Sequence, residues 1–490
     1  MPVRTDARDG GARDSGARDG DPLSLELPAA VAHVLAALAE SGAEAALVGG
    51  CVRDAVRGAV PTDWDVATSA TPEAVAALFP RSTWENPFGT VTVLPDEGDA
   101  PSVEVTTYRI EGPYRDRRRP EAVRWGDSLP DDLSRRDFTI NSMAWLPVDL
   151  AAGAGRLLDP FDGAGDLRRG MLRAVGDPEA RIAEDALRMV RAVRFATRFE
   201  LRLDDATATA IRRHAAAAAG LSGERVRDEL MRVMGEDAPP SRALRLMDEL
   251  GLLAVLLPEL AGLRGVPQDK ALPGDALEHS LRTVDALPAS DPTLRLAGLL
   301  HDLGKATTLA DGHFIGHERA GATLAEGVLR RLRLPRADIE RVTRLVRQHM
   351  FAYSPEWTDA AVRRFVRRVG ADLLDDLYAL RRADNAASGV REPPSGGLEE
   401  LRRRAARAVA ADPMAPGQLA VDGHDLVREL GLEPGPRLGR ALEALMEAVL
   451  DDPSLNRRDA LLGMAREWAA GHPDGAPMQR QGGPPGAASD

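Results

Sequence analysis

Gly49-Gly50-Cys51-Val52-Arg53-Asp54, followed by Asp63-Trp64-Asp65, is the stretch on which the reading of this chain turns. Ala45 to Val48 is apolar and short, as a buried strand would be. The paired glycines then turn the backbone into a helix predicted over Val52 to Arg57. Glycines let main-chain N–H groups approach an anion closely, and a helix start favours negative charge, so the turn suits a polyphosphate. Asp63 and Asp65 lie two apart among Trp, Val and Thr, and on a strand such residues share a face. Two converging carboxylates beside a phosphate cradle suit Mg²⁺ in phosphoryl or nucleotidyl transfer. Either feature alone fits an ordinary turn or two solvated aspartates; their short separation favours the chemical reading. Glu104, on a strand predicted over Ser102 to Tyr108, is a third acid that completes the metal site, orients a general base or sits on the surface.

The chain has 490 residues, room for about three to four domains. It holds no apolar run of about 18 residues and no apolar leader, so no membrane span or secretion signal is expected. A single cysteine, Cys51, leaves no intrachain disulfide and no disulfide-linked partner, in keeping with a cytoplasmic protein. The net charge of −13 argues against a generally basic coat for nucleic acid. Local clusters remain: Arg115 with Arg117 to Arg119, Arg168-Arg169, Arg363-Arg364 with Arg367-Arg368, and Arg402 to Arg404. Each by itself fits a solvated helix face.

Residues 1–22, with a repeated Gly-Ala-Arg-Asp and no anchoring apolar residue, read as a disordered tail. Helices are predicted over Pro28 to Glu40 and from Thr71-Pro72-Glu73 to near Pro80. Thr90 to Leu94 and Ser102 to Tyr108 alternate around a turn at Pro95 to Gly98, a hairpin pattern. The region 23–150 is therefore expected to be a small α+β head. From Leu167 onward strand signals vanish and helical periodicity takes over, with one amphipathic helix expected over Ile182 to Phe195. Residues 151–265 form a helical neck and body, and a linker follows at 264–275. A second helical block is expected over 275–390, a helical tail over 391–470 and a disordered end over 471–490.

Two further constellations carry chemistry. In Ser134 to Met143, charged residues crowd the start of an apolar run; Arg136 and Asp137 suit a ribose or phosphate, or equally a capped helix start. Asp185 and Arg188, three apart on the expected helix, offer acceptors beside a planar fork of donors, a pair able to read a base edge. The same spacing fits an intrahelical ion pair.

The order of GGxVRD, DxD, EVTTYR, RRDFTxNSMA, DPFDG, EDALRMVRAVRF and an SxERxxxE element (Ser222, Glu224, Arg225, Glu229) resembles the class II tRNA nucleotidyltransferases. That family contains the CCA-adding enzymes and the bacterial poly(A) polymerases, and the likeness covers roughly residues 25–265, with a weaker one through Asp422 to Leu426. The resemblance implies a head of the DNA-polymerase-beta type, a mixed sheet with helices, followed by all-α neck, body and tail domains. It implies that Gly50 and Arg53 hold the triphosphate, Asp63 and Asp65 bind Mg²⁺, and Arg136 and Asp137 recognise the ribose. Asp185 and Arg188 would pair with the incoming base, with Arg191 and Arg194 in support. Ser142 departs from the family's usual Ala. Trp84 to Val93 lacks the arginine-rich, histidine-containing segment of the poly(A) branch, which favours CCA addition. The expected partners are the tRNA 3′ end, CTP and ATP; a poly(A) polymerase or an enzyme adding only CC or only A would share these residues.

Five of the nine histidines fall between His279 and His349. His279, His301, Asp302, His317, His349 and Asp384 follow an H…HD…H…H…D order that resembles the HD superfamily of metal-dependent phosphohydrolases. Imidazoles with carboxylates suit one or two divalent transition metals, whose identity the residues leave open. A rival reading makes the head an inactive RNA platform for this domain.

Overall fold

A computed structural model describes residues 18–84, 89–95, 101–111, 123–125, 128–268, 270–389 and 396–472. The chain divides into two compact units. The first comprises Met1–Val266, Asp275–Leu296 and Gly327–Arg336, and the second Pro267–Gly274, Ala297–Glu326 and Ala337–Asp490.

The first unit is built on an eight-stranded mixed sheet. Its strand order is Pro22–Ser24, Ala154–Leu158, Ala144–Asp149, Ala45–Val48, Trp64–Thr68, Val103–Thr107, Thr90–Val93, Ser82–Thr83. The strands expected around residues 45–48, 90–94 and 102–108 form, the last two as an antiparallel pair; the turn between them lies partly outside the described residues. Trp64–Thr68 and Val103–Thr107 run parallel, with Asp65 opposite Glu104. Alternation puts Leu47 into a core with Val31, Val34, Leu35 and Leu38 of helix Ala29–Glu40. Ala46 and Val48 face the other side, against Leu129, Leu133 and Tyr108.

Two expectations need correction here. The sheet does not stop at residue 150: Ala154–Leu158 pairs antiparallel with Ala144–Asp149, so that boundary falls inside a hairpin. Residues 18–22 are also not a loose tail. Gly20 donates its N–H to Leu157, Asp19 accepts from the Asp159 N–H, and Leu23 and Leu25 are buried. Backbone pairing with a sheet edge supplies the anchor that side chains 1–22 lack; residues 1–17 lie outside the described part.

The amphipathic helix expected over Ile182 to Phe195 is two helices, Pro178–Glu184 and Leu187–Arg198. Asp185 breaks it with an extended backbone, φ −143° and ψ 107°, and its carboxylate accepts the Leu187 N–H at 3.0 Å. Asp commonly trades a helical hydrogen bond for such a local one. Strand signals also do not vanish entirely after Leu167, since Met171–Leu172 and Arg202–Leu203 form a short parallel pair.

Helix Ala276–Asp285 packs within the first unit, where Glu278 accepts from Arg245 and Asp285 accepts the Ser241 N–H. The compact division therefore groups residues 275–296 with the first unit. The second unit is helical to Gly471. Its arginine clusters are largely committed internally: Arg364 and Arg367 bind Glu447, and Arg363 caps the carbonyls of Leu450 and Asp451. Arg402 meets Asp375 and Arg404 meets Asp359. Arg115 and Arg117 to Arg119 lie outside the described residues.

Gly155 sits against the buried Trp145 ring, whose Nε1 donates to the Leu23 carbonyl at 2.8 Å. A Cβ at Gly155 would stand 2.2 Å from Trp145 Cε2. Gly155→Ala is therefore expected to destabilise the head by about 1–3 kcal/mol in chemical denaturation. An unchanged midpoint would mean that the indole moves aside freely.

Candidate active site and a second metal-ligand cluster

In the first unit a cleft of about 910 Å³ is lined by Gly50, Arg53, Asp63, Asp65, Glu104, Arg136, Asp137, Asp185, Arg188, Arg191 and Arg194. Its floor is the glycine turn. Gly49 has φ +74°, and a Cβ there would come 2.9 Å from Arg136 Nη1 and 3.5 Å from Asp65 Oδ2. The backbone angle favours glycine, and a side chain there would have to displace the Arg136 fork. Arg53, buried on helix Gly50–Val56, donates Nη1 to Asn141 Oδ1 at 2.7 Å and lies over the Phe199 ring at 4.4 Å. The cation is thus fixed with its fork at the cleft wall.

Asp63 stands just before strand Trp64–Thr68 and Asp65 within it, and both line the cleft with Glu104. Burial pushes the Asp65 carboxyl up to about 6, opposed by Arg136 and reinforced by Glu104 and Asp63. A carboxylate held at such cost in an acidic set is chemically fitted to a divalent cation, which supplies the missing positive charge.

Asp137 is buried at the cleft wall. It accepts from the Phe138 N–H at 2.8 Å, Asn141 Nδ2 at 3.1 Å and Arg191 Nε at 2.8 Å. Burial opposes its charge, but Arg191 and Asn141 hold the carboxyl below the usual range. Arg136 is anchored by Asp132 at 3.2 Å. The motif is held from behind by the DPFDG segment: Asp159 accepts the Gly163 and Ala164 N–H groups, and a Cβ on Gly163 would lie 2.2 Å from the Thr139 carbonyl oxygen.

Asp185 and Arg188 both reach the cleft; the Arg188 N–H donates to the Asp185 carbonyl at 3.0 Å, but each side chain bonds other partners. Arg225 donates to Asp185 Oδ2 at 2.6 Å. Arg188 donates to Glu184 at 2.5 Å and to the carbonyls of Arg181 and Arg135. Arg194 forms a buried pair with Glu229 at 2.6 Å. The SxERxxxE element, whose roles the sequence left unassigned, thus supplies the partners of Asp185 and Arg194. Asn141, Asp132 and the Phe195–Phe199 stack were also missed as site supports; the Asp132–Arg136 and Phe195–Phe199 contacts have a helical i,i+4 spacing that could have flagged them, whereas Asn141 reaches Arg53 across 88 residues.

In the second unit His301, Asp302, His317 and His349 converge. Asp302 Oδ2 lies 3.2 Å from His301 Nε2, and Oδ1 lies 3.5 and 3.7 Å from the Nε2 atoms of His317 and His349. In all three histidines Nδ1 meets a backbone carbonyl three residues earlier, at 2.7, 2.8 and 2.6 Å. A carbonyl accepts only, so Nδ1 carries the proton and Nε2 is left as a donor of electrons to a metal. Burial, with His301 close by, pushes His349 down to about 3, keeping it neutral. Asp384 is buried nearby on helix Leu374–Ala387. These residues fit a divalent transition metal. His279 is buried on helix Ala276–Asp285 in the first unit.

Comparison with known proteins agrees with this geometry. Residues 45–173 match the poly A polymerase head domain, 200–263 the probable RNA and SrmB-binding site of polymerase A, and 276–388 the HD domain. The A-adding tRNA nucleotidyltransferase of Deinococcus radiodurans is 37% identical over 427 residues, 82% of this chain and 91% of that one. The CCA-adding enzyme of Geobacillus stearothermophilus is 33% identical over 435 residues, covering 87% and 94%. The crystal structure of the Bacillus stearothermophilus CCA-adding enzyme in complex with CTP superposes with a TM-score of 0.65 at 30% identity, covering 90% and 98%. A polymerase-type nucleotidyltransferase head joined to an HD domain is the class this defines. The chain belongs to the class II tRNA nucleotidyltransferase family of CCA-adding enzymes and poly(A) polymerases.

The raised Asp65 carboxyl has a sign that can be measured. Its folded value of about 6 exceeds the ordinary 3.8, so its protonation stabilises the fold at low pH, and that contribution is lost as pH rises through about 6. Metal-free Asp65→Asn is therefore expected to be more stable than wild type at about pH 7–8, by about 1–3 kcal/mol, with the gain vanishing below about pH 4. A variant no more stable than wild type across this range would show that Asp65 is solvated at no cost.

Proposed function

We propose that the protein is a template-independent CCA-adding enzyme that extends the tRNA 3′ end from CTP and ATP with Mg²⁺. The observation that carries this is the placing of Asp185 and Arg188 in the same cleft as Asp63 and Asp65: a base reader and a metal-ligand set share one nucleotide-sized space. The CCA-adding relatives support it. The A-adding relative gives the second reading, addition of the terminal A alone, specific weight.

Arg53 and the open backbone at Gly49-Gly50 bind the triphosphate. The primer's 3′-hydroxyl oxygen attacks the α-phosphorus, the bond to the β-phosphate breaks, and pyrophosphate leaves. A divalent cation held by Asp63 and Asp65 supplies charge neutralisation and a lowered hydroxyl pKa when bound. Neither Lys nor His is among the described residues of the cleft lining, so the side chains there able to act as a base are carboxylates, among them Glu104. Arg136 and Asp137 serve the ribose side, with Asp137 steadied by Arg191. Cytosine and adenine both present an amino donor beside a ring-nitrogen acceptor, matching the Asp185 carboxylate and the Arg188 fork. Uracil and guanine put a carbonyl against the carboxylate, at about 1–3 kcal/mol per unsatisfied buried group. In the second unit the His–Asp cluster acts as a metal-dependent phosphohydrolase centre.

Asp63→Ala and Asp65→Ala are each expected to abolish incorporation of CTP and ATP while tRNA binding persists. Transcripts ending in the discriminator base, C and CC, offered each nucleotide separately, check this and also separate the two readings. Wild type that extends only the CC-ending transcript with ATP would replace CCA addition by A addition. Residual incorporation near wild type in either variant would remove the carboxylates from the centre.

Arg225 holds Asp185 in place, so Arg225→Ala is expected to weaken the preference for CTP over UTP about 5-fold, equivalent to about 1 kcal/mol. Arg225→Lys should restore part of it. Full discrimination in the alanine variant would mean that Asp185 needs no such brace.

A further inference from the structure

Between the two matched regions that end at 263 and begin at 276, a short segment carries two side chains into the His–Asp cluster of the second unit. Lys270 Nζ donates to Asp384 Oδ1 at 3.3 Å and to Ser388 Oγ at 2.8 Å. Gln268 Oε1 accepts from Lys305 Nζ at 2.8 Å, and the same ammonium reaches Asp302 Oδ2 at 2.6 Å. An ammonium can only donate, so the Gln268 amide is fixed with its oxygen on Lys305 and its nitrogen pointing away. That nitrogen is buried with no hydrogen-bond partner among the described residues. A buried donor without an acceptor costs free energy and marks a place where an acceptor belongs.

The two ammonium groups lie on the two acidic members of the cluster. A cation at the centre would draw Asp302 and Asp384 toward itself, leaving both ammonium groups in need of another anion. Two cations and one oriented amide N–H, beside a set of Nε2 and carboxylate ligands, make a cradle for a tetrahedral oxyanion next to a metal. A carboxylate has two oxygens to share; the phosphoryl group of an ester has three terminal oxygens, each able to accept more than one bond, enough for the three donors and the metal. We propose that Gln268 and Lys270, with Lys305, form the phosphate-binding side of this centre, taking the phosphoryl group of a phosphate ester. The segment thus supplies substrate-binding residues and is more than a linker. The proposal rests on the reading of the cluster as a phosphohydrolase centre.

The test uses the full chain, loaded with Co²⁺ and freed of excess metal. Metal content is measured by atomic emission, and inorganic phosphate is then titrated by calorimetry. The arginine-rich head cleft also takes phosphate, so the signal of His301→Ala is subtracted to isolate the second unit. Lys270→Gln and Gln268→Ala are expected to retain metal and nucleotide incorporation, and to weaken phosphate binding at this centre about tenfold or more. Unchanged phosphate affinity in both variants, with metal intact, would overturn the proposal while leaving the metal centre standing. A wild-type chain that takes up no metal beyond His301→Ala would overturn the phosphohydrolase reading itself, and this proposal with it.

Discussion

Like charges crowded onto neighbouring strands are what the first unit has to accommodate. The parallel pairing of Trp64–Thr68 with Val103–Thr107 sets Asp65 directly beside Glu104, with Asp63 close by. Burial pushes the Asp65 carboxyl up to about 6, and the neighbouring Glu104 and Asp63 carboxylates add to it. The rest of the site answers this charge. Arg136 leans over the glycine turn, whose positive φ at Gly49 favours glycine, and Asp132 in turn anchors Arg136. The sheet fixes the acids, and the segments around it deliver the cations.

The neck extends the same logic. Arg191, Arg194 and Arg188 each have a carboxylate partner in Asp137, Glu229 or Glu184, two of them buried. Breaking such pairs is costly, because the remaining charge is stranded. The arginines are therefore held in fixed geometry before any nucleotide arrives, and little ordering is left for the binding step to supply. The break in the helix at Asp185 belongs to this scheme. A continuous helix would have pointed Asp185 and Arg188 along one face as partners of each other; the extended residue frees each for a separate brace.

The sequence was readable where chemistry is local. The glycine turn, the paired aspartates, the strand Ala45–Val48 and the adjacent His301-Asp302 are all short-range patterns. It was unreadable where contacts span tens of residues. Arg225 with Asp185, Arg53 with Asn141, and Lys270 with Asp384 join residues 40, 88 and 114 apart in sequence. The amphipathic period across residues 182–195 hid the break at Asp185, since a two-residue interruption hardly disturbs the apolar stripe. The N-terminal segment was misread for a similar reason: residues 18–22 are held through their backbone, which composition does not report.

The two outer strands of the head sheet, Pro22–Ser24 and Ser82–Thr83, have three and two residues. Strand edges are open templates, and a long one invites a neighbouring chain to add its own backbone. Here the longer strands all lie inward, and what is left at either rim is too short to seed such an addition. The N-terminal strand thus works as a hem as well as an anchor: without it, the five-residue strand Ala154–Leu158 would become the rim. A protein that keeps a wide sheet in a crowded cell has reason to keep so small a border.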